Sequence, residues 1–299
     1  MRILICGARG QLGCKFSRLI EQGCAEIGPI PDSYNNAELV KTDVAELDIT
    51  DAKAVDTFIE EGKFDLIINC AAMTNVDGCE EQEEVAYRIN ALAPENLARA
   101  TARHGVKIVH ISTDYVFSGD DPTDRVEDDT PNPQSSYGRT KLAGEVLVQK
   151  ANPRHYIIRT AWLYGYVGKN FVKTMMELAR KNGAIKVVDD QKGNPTSAND
   201  LAYEILKIAE TENYGIYHCT NNGTCSWFDF ASTIVDMAGI PCEKTPCTTD
   251  EFPRPAKRPA FSSLRNKRLE DTIGDEMRDW QVALASFLER LPELGDKPV

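Results

Sequence analysis

A chain of 299 residues, 42% hydrophobic and 27% charged, can fill one large domain or two unequal ones with a proper core. No apolar run approaches the roughly 18 residues of a membrane-spanning helix. Only a five-residue strand-like stretch precedes Gly7, too short for a signal-peptide core, so the expectation is a cytoplasmic protein. The net charge of −12 argues against nucleic acid as a partner, yet leaves room for a small anionic ligand in a local basic pocket.

In chain order, "RILICG" reads as a short apolar strand, and "GARGQLG" as a glycine-rich turn opening the helix "LGCKFSRLIEQG". "AELVKTDV" and "FDLIINCAA" read as strands on either side of the helix "DAKAVDTFIEEG", with Asp51 as its N-cap and Gly62 as its stop. The helix "PENLARATARHG", the strand "VKIVHIST", the helix "SYGRTKLAGEVLVQKA" and the strand "HYIIRTAWLYG" follow. Strands alternating with helices predict an α/β fold, a doubly wound parallel Rossmann sheet.

Beyond residue 120 the pattern changes. Most of the 15 prolines lie there, concentrated in "DDPTDRVEDDTPNP" and "PRPAKRPAF". The helices "NFVKTMMELARKNG" and "SANDLAYEILKIAE" remain, but the strands between them are short. The expectation is a dinucleotide-binding domain over 1–160 and a smaller α/β substrate-binding lobe over 161–299, with the chain free to return to the first domain. Nine cysteines are scattered without one CxxC pair, which disfavours zinc; those in strands pack as small hydrophobes.

Glycines 7, 10 and 13 stand between the first strand and the first helix, where backbone N–H groups can approach a pyrophosphate. Asp43, at the end of the second strand, suits adenosine ribose hydroxyls and favours NAD. Arg9, inside the glycine-rich turn, suits a 2′-phosphate and favours NADP. The "DI" pair Asp48 and Ile49 falls where an adenine edge would lie, and "CAAMT" ends the third strand with small residues.

Tyr137 and Lys141 lie four apart, on one face of a helix. A phenol with a pKa near ~10 is a poor acid at neutral pH, and a nearby ammonium lowers it. Ser112, Thr113 and Asp114 put polar groups at the carboxyl end of an interior strand, where ligands of open α/β sheets bind. Asn90 is a candidate link in a proton relay.

With these three motifs in this order, the chain resembles the extended short-chain dehydrogenase/reductases, and within them the dTDP-4-dehydrorhamnose reductase branch. The blocks "GARGQLG", "STDYVFSG", "YGRTKLAGE", "RTAWLYG", "DDQKGNPT" and "RPAFSSL" carry the likeness over nearly the whole length. The resemblance implies reduction of the C4 ketone of a nucleotide-linked deoxysugar by NADPH or NADH. It implies Thr113, Tyr137 and Lys141 as the catalytic triad, Tyr137 being the acid. Gly7, Arg9, Gly10, Gln11, Leu12, Gly13, Asp43, Asp48, Ile49, Cys70, Ala71 and Ala72 would line the cofactor with Tyr137 and Lys141. Thr113, Asp114 and Trp162 would meet the sugar, and Asn170 and Arg258 the diphosphate. Family members usually show "NAAA" where this chain has "NCAA".

Some members are Mg²⁺-dependent dimers held through acidic residues. Lys15 and Asn199 stand at those positions here, so a homodimer is compatible with the resemblance and Mg²⁺ is not expected at that site. Two other readings compete. One is a non-catalytic NADP-binding subunit like the methionine adenosyltransferase β subunit, which the complete triad disfavours. The other is a nucleotide-sugar epimerase or dehydratase, which "GQLG" and "STDYVF" disfavour.

Overall fold

The computed structural model describes residues 1–295; the last four of the predicted lobe, 296–299, lie outside them. Apolar strands alternate with helices from the start: β1 (Arg2–Cys6), α1 (Gln11–Gln22), β2 (Glu38–Thr42), α2 (Ala52–Gly62) and β3 (Leu66–Asn69). Asp51 caps α2 by accepting from the N–H groups of Lys53 and Ala54. Gly62 is not the left-handed stop the sequence suggested. That conformation falls on Lys63 (φ 48°), and a Cβ at residue 62 would strike the Phe64 ring.

Two short helices, α3 (Val76–Glu81) and α4 (Glu83–Tyr87), and one π-helical turn (Arg88–Leu92) lead into α5 (Ala93–Arg103). Then come β4 (Lys107–Thr113), α6 (Ser136–Ala151) and β5 (His155–Thr160). All strand pairs in the sheet are parallel. One face is covered by α1, the other by α2 and α5, with α6 beside α5. Burial on both faces explains why Leu66–Asn69 is wholly interior and why the central strands read as continuous apolar runs.

After β5 the chain builds a second lobe. It comprises β6 (Leu163–Tyr164), α7 (Phe171–Asn182), β7 (Ala184–Val188), β8 (Lys192–Gly193) and β9 (Thr196–Ser197). The chain then returns to the first body: α8 (Ala198–Glu210) packs on α1, and β10 (Gly215–His218) joins β5. The sheet order is β10-β5-β4-β3-β1-β2. Position 160 is thus crossed again by residues 198–218. The lobe resumes with β11 (Cys225–Ser226), α9 (Trp227–Met237) and β12 (Glu243–Cys247), which pairs with β7. Then α10 (Lys267–Thr272) packs on β10, and α11 (Trp280–Leu294) lies on α9. The lobe has its own core of Val172, Phe230, Ile234, Leu284 and Phe287. No helix among the described residues is long and apolar enough to cross a membrane.

Strand order reverses between β1 and β3. In an open parallel sheet that reversal opens a crevice at the carboxyl ends of the strands.

Candidate active site

Two clefts meet at this carboxyl edge. The first, about 470 Å³, is lined by Gly7, Gly10, Asp43, Asp48, Ile49, Cys70, Ala71 and Ala72, all marked by the sequence. The second, about 560 Å³, shares Gly10, Cys70 and Ala72 with it. It adds Arg9, Gln11, Leu12, Gly13, Thr113, Asp114, Tyr137, Lys141 and Trp162.

The turn between β1 and α1 fits a dinucleotide. Gly7 has φ +74°, and a Cβ there would sit 2.8 Å from the Ala71 nitrogen. A Cβ on Gly13 would lie 2.3 Å from the Gly7 carbonyl oxygen, so only glycine lets α1 start this close to the turn. Gly10 caps α1 without a side-chain bond, leaving the first turn of the helix facing the cleft. A helix N-terminus presented in this way suits a diphosphate.

Around the first cleft the polar side chains are engaged locally. Asp43 accepts the Arg9 backbone N–H at 2.9 Å. The Asp48 carboxylate accepts both the N–H and the hydroxyl of Thr50, which hold it below its ordinary range. Burial pushes the Cys70 thiol up, so it lines the cleft as a protonated, small side chain.

The chemical end is set by α6. Ser135 caps it through the Gly138 N–H, and Tyr137, Lys141 and Glu145 follow at four-residue intervals down one face. Tyr137 packs edge-on against Tyr115, ring centroids 5.4 Å apart. The Lys141 ammonium donates to the Ile111 carbonyl oxygen at 2.5 Å. Burial lowers Lys141 to about 8, partly offset by Glu145. Burial also raises the Tyr137 phenol, and the Thr113 hydroxyl pulls it back only in part. This is the reverse of the lowering that Tyr–Lys spacing implies, because desolvation at the phenol outweighs a lysine turned toward Ile111.

The strand-end cluster divides its labour. Thr113 donates to Asp114 Oδ1 at 2.8 Å and accepts the Tyr115 N–H at 3.2 Å. Asp114 is buried and its Oδ2 has no hydrogen-bond partner among the described residues; burial raises this carboxyl to about 6. Ser112 turns away to donate to Glu145, which forms a buried pair with Arg159 at 2.7 Å. Its polarity therefore serves the support of α6 and β5 more than the cleft.

Asn90 does not reach Tyr137 or Lys141. Its amide exchanges hydrogen bonds with the backbone of Met73 and donates to Thr140, fixing the end of β3 against α6. Asn170 is buried outside both clefts: it caps α7 through the Lys173 N–H and bridges to Gln11 and Gly165. Arg258 also stays outside them, paired with Asp77 at 3.0 Å. Lys169, one residue before Asn170, is the cation that lines the cleft at that end.

Trp227 was not marked by the sequence. It stacks on Trp162 at 3.5 Å with ring planes 6° apart, and both rings wall the larger cleft. Trp162 takes a left-handed backbone (φ 47°), a strain that a bulky residue carries only where its surroundings fix it. The signal available was the N-cap Ser226 with its capping-box partner Asp229, which starts a helix on an aromatic residue.

The positions where the resemblance puts acidic metal ligands are differently engaged. Lys15 is buried, pairs with Glu26 at 3.6 Å and lies over the Tyr166 ring. Asn199 accepts the Glu26 N–H and donates to Asp200. Arg278 bridges Glu26, in the loop after α1, and Asp200 on α8.

Residues 1–292 match the family described as RmlD substrate binding domain. The chain is 40% identical to the dTDP-4-dehydrorhamnose reductase of Mycobacterium tuberculosis over 294 residues, covering 96% of this chain and 92% of that protein. It is similar to the structure of a dTDP-4-dehydrorhamnose reductase from Clostridium acetobutylicum, with 50% identity, a TM-score of 0.92 and coverage of 98% and 100% of the two chains. The dTDP-4-dehydrorhamnose reductase of Bacillus anthracis, solved in complex with NADP, is 38% identical with a TM-score of 0.90 and coverage of 97% and 99%.

Proposed function

Since the chain belongs to the RmlD substrate binding domain family, we propose that it reduces the C4 ketone of dTDP-4-dehydro-6-deoxy-L-mannose to dTDP-L-rhamnose. The observation that carries this reading is the convergence of Thr113, Tyr137 and Lys141 on one cleft that is continuous with a dinucleotide cleft. A complete acid–base set at the cofactor end is what a reductase needs and a non-catalytic subunit does not. The sheet body, including the returning segment 198–218 and α10 packed on β10, is the cofactor domain, and the remainder of the second half is the substrate lobe.

Gly7, Gly10, Gln11, Leu12 and Gly13 hold the dinucleotide diphosphate on the α1 N-terminus, and Asp43 meets the adenosine ribose. Bound NAD(P)H supplies the hydride that forms the new C–H bond at C4. As the C4–O π bond breaks, Tyr137 donates its phenolic proton to the oxygen, and the tyrosinate regains a proton from solvent. The raised phenol is protonated at neutral pH, the form from which an acid acts, while burial makes it a weaker donor than a free phenol. Lys141 lines the same cleft one helical turn from Tyr137, with its ammonium on the Ile111 carbonyl, and adds positive charge beside the nicotinamide ribose. Thr113 and Asp114 orient the sugar, and the Trp162–Trp227 wall excludes water from one side. Lys169 lies beside the nucleotide diphosphate; Asn170 reaches it only by exchanging its present partners, whereas Arg258 holds Asp77 through Nη2 and has Nη1 without a partner among the described residues.

A reaction of this kind draws on cytoplasmic reduced nicotinamide, the compartment in which we place the protein. The test is a coupled assay in which products of a dTDP-glucose dehydratase and epimerase are presented with NADH or NADPH in turn. Formation of dTDP-L-rhamnose with oxidation of the nicotinamide is expected. Failure with both cofactors on authenticated substrate would overturn the reading.

A further inference from the structure

We propose that Glu46 governs the choice between NADH and NADPH, acting as an internal competitor for the cation that a 2′-phosphate would need. The proposal rests on the reading above, that the paired clefts hold a reduced nicotinamide dinucleotide.

Arg9 lies in the glycine-rich turn, its side chain is 70% exposed, and it is the cation within that turn. Its guanidinium donates to Glu46 Oε1 at 2.5 Å, while Nε stands 3.9 Å from Asp43. Glu46 is held for this contact. Its Oε2 accepts the Asp43 N–H at 2.9 Å, and its own N–H donates back to the Asp43 carbonyl at 3.0 Å. The carboxylate that follows β2 is therefore folded back on Arg9 by a rigid turn.

NADH and NADPH differ at the adenosine 2′ position, a hydroxyl in one and a phosphate dianion in the other. A hydroxyl needs an acceptor, and Asp43 on the cleft wall is one. A dianion needs a guanidinium fork with no carboxylate in it. Here two carboxylates face one arginine: Glu46 Oε1 holds the Nη2 arm of the guanidinium, and Asp43 stands beside its Nε. NADPH must displace Glu46 to pair with Arg9, and then sits against an unpaired carboxylate. NADH meets neither demand.

Both cofactors are expected to bind, with Glu46 setting the ratio. Glu46→Gln separates charge from structure. Its amide oxygen can still accept the Asp43 N–H, whereas its NH₂ group cannot hold a guanidinium. Dissociation constants for NADH and NADPH are measured by cofactor fluorescence on the unaltered protein, Glu46→Gln, Arg9→Ala and the double variant. Glu46→Gln should tighten NADPH about tenfold, the order of one charge-assisted contact regained. NADH should change by less than about twofold, as for a contact it does not make. Arg9→Ala alone should weaken NADPH more than NADH, and in the double variant the gain from Glu46→Gln should vanish.

An unchanged NADPH-to-NADH ratio in Glu46→Gln would overturn the proposal, as would a gain that survives loss of Arg9. Equal weakening of both cofactors would make Glu46 a prop of the turn and nothing more. Binding of neither cofactor to the unaltered protein would overturn the reductase reading itself, an outcome distinct from an unchanged ratio.

Discussion

Replacing Tyr137 by Phe removes one hydroxyl from the centre of the proposed chemistry and little else. The ring keeps its edge-on packing against Tyr115, and α6 keeps its cap at Ser135. The thermal stability should therefore stay within about 1 kcal/mol of the parent. Turnover should fall by about 10² to 10⁴, the span for loss of a positioned general acid, or roughly 3 to 5 kcal/mol of barrier. Because burial raises the phenol above its ordinary value, the parent should show no loss of activity from tyrosine ionisation between about pH 6 and 9. The assay follows oxidation of the reduced nicotinamide under saturating sugar nucleotide, with cofactor affinity measured separately. A Phe variant within about threefold of the parent rate would remove Tyr137 from the role of acid. So would a parent whose rate collapses as pH rises with an unchanged cofactor affinity and a titrating phenol.

Asp114→Asn should stabilise the fold at neutral pH while reducing turnover. The carboxyl moves from 3.8 to about 6 through burial, so the folded state binds the extra proton and stability falls as pH rises through that window. Unfolding free energies of the two proteins should converge near pH 4 and separate by on the order of 3 kcal/mol above pH 7; pH profiles parallel across that range would count against it. Glu145→Gln leaves Arg159 charged and buried beneath the site, and should cost about 3 to 5 kcal/mol in a denaturant titration. A loss below about 1 kcal/mol would mean the pair is neutral to the fold. Activity, and any dimer present, should survive exhaustive EDTA treatment, because an ammonium stands where a hard cation would need a carboxylate. Activity lost in EDTA and restored by Mg²⁺ alone would refute this.

The strand and helix segments and the Tyr137–Lys141 spacing are local facts of the chain. Apolar runs of four to seven residues make strands, glycine spacing makes the first turn, and a four-residue interval puts Tyr137 and Lys141 on one helix face whatever packs around it. Family likeness extended this to the cofactor lining, and the clefts collect those residues together. Tertiary structure decided what sequence spacing cannot encode, because burial and partner choice depend on distant segments. Ser112 serves a pair formed by Glu145 and Arg159, 33 and 47 residues away, instead of the cleft. Asn170 and Arg258 carry the right chemistry for phosphate but are already held by Gly165 and Asp77. Trp227 reaches the site only because its helix packs the ring flat on Trp162. The pKa values were decided there as well. Desolvation dominates at both Tyr137 and Lys141, in place of the mutual effect that their spacing suggests, since the dielectric around a side chain is set by everything that covers it.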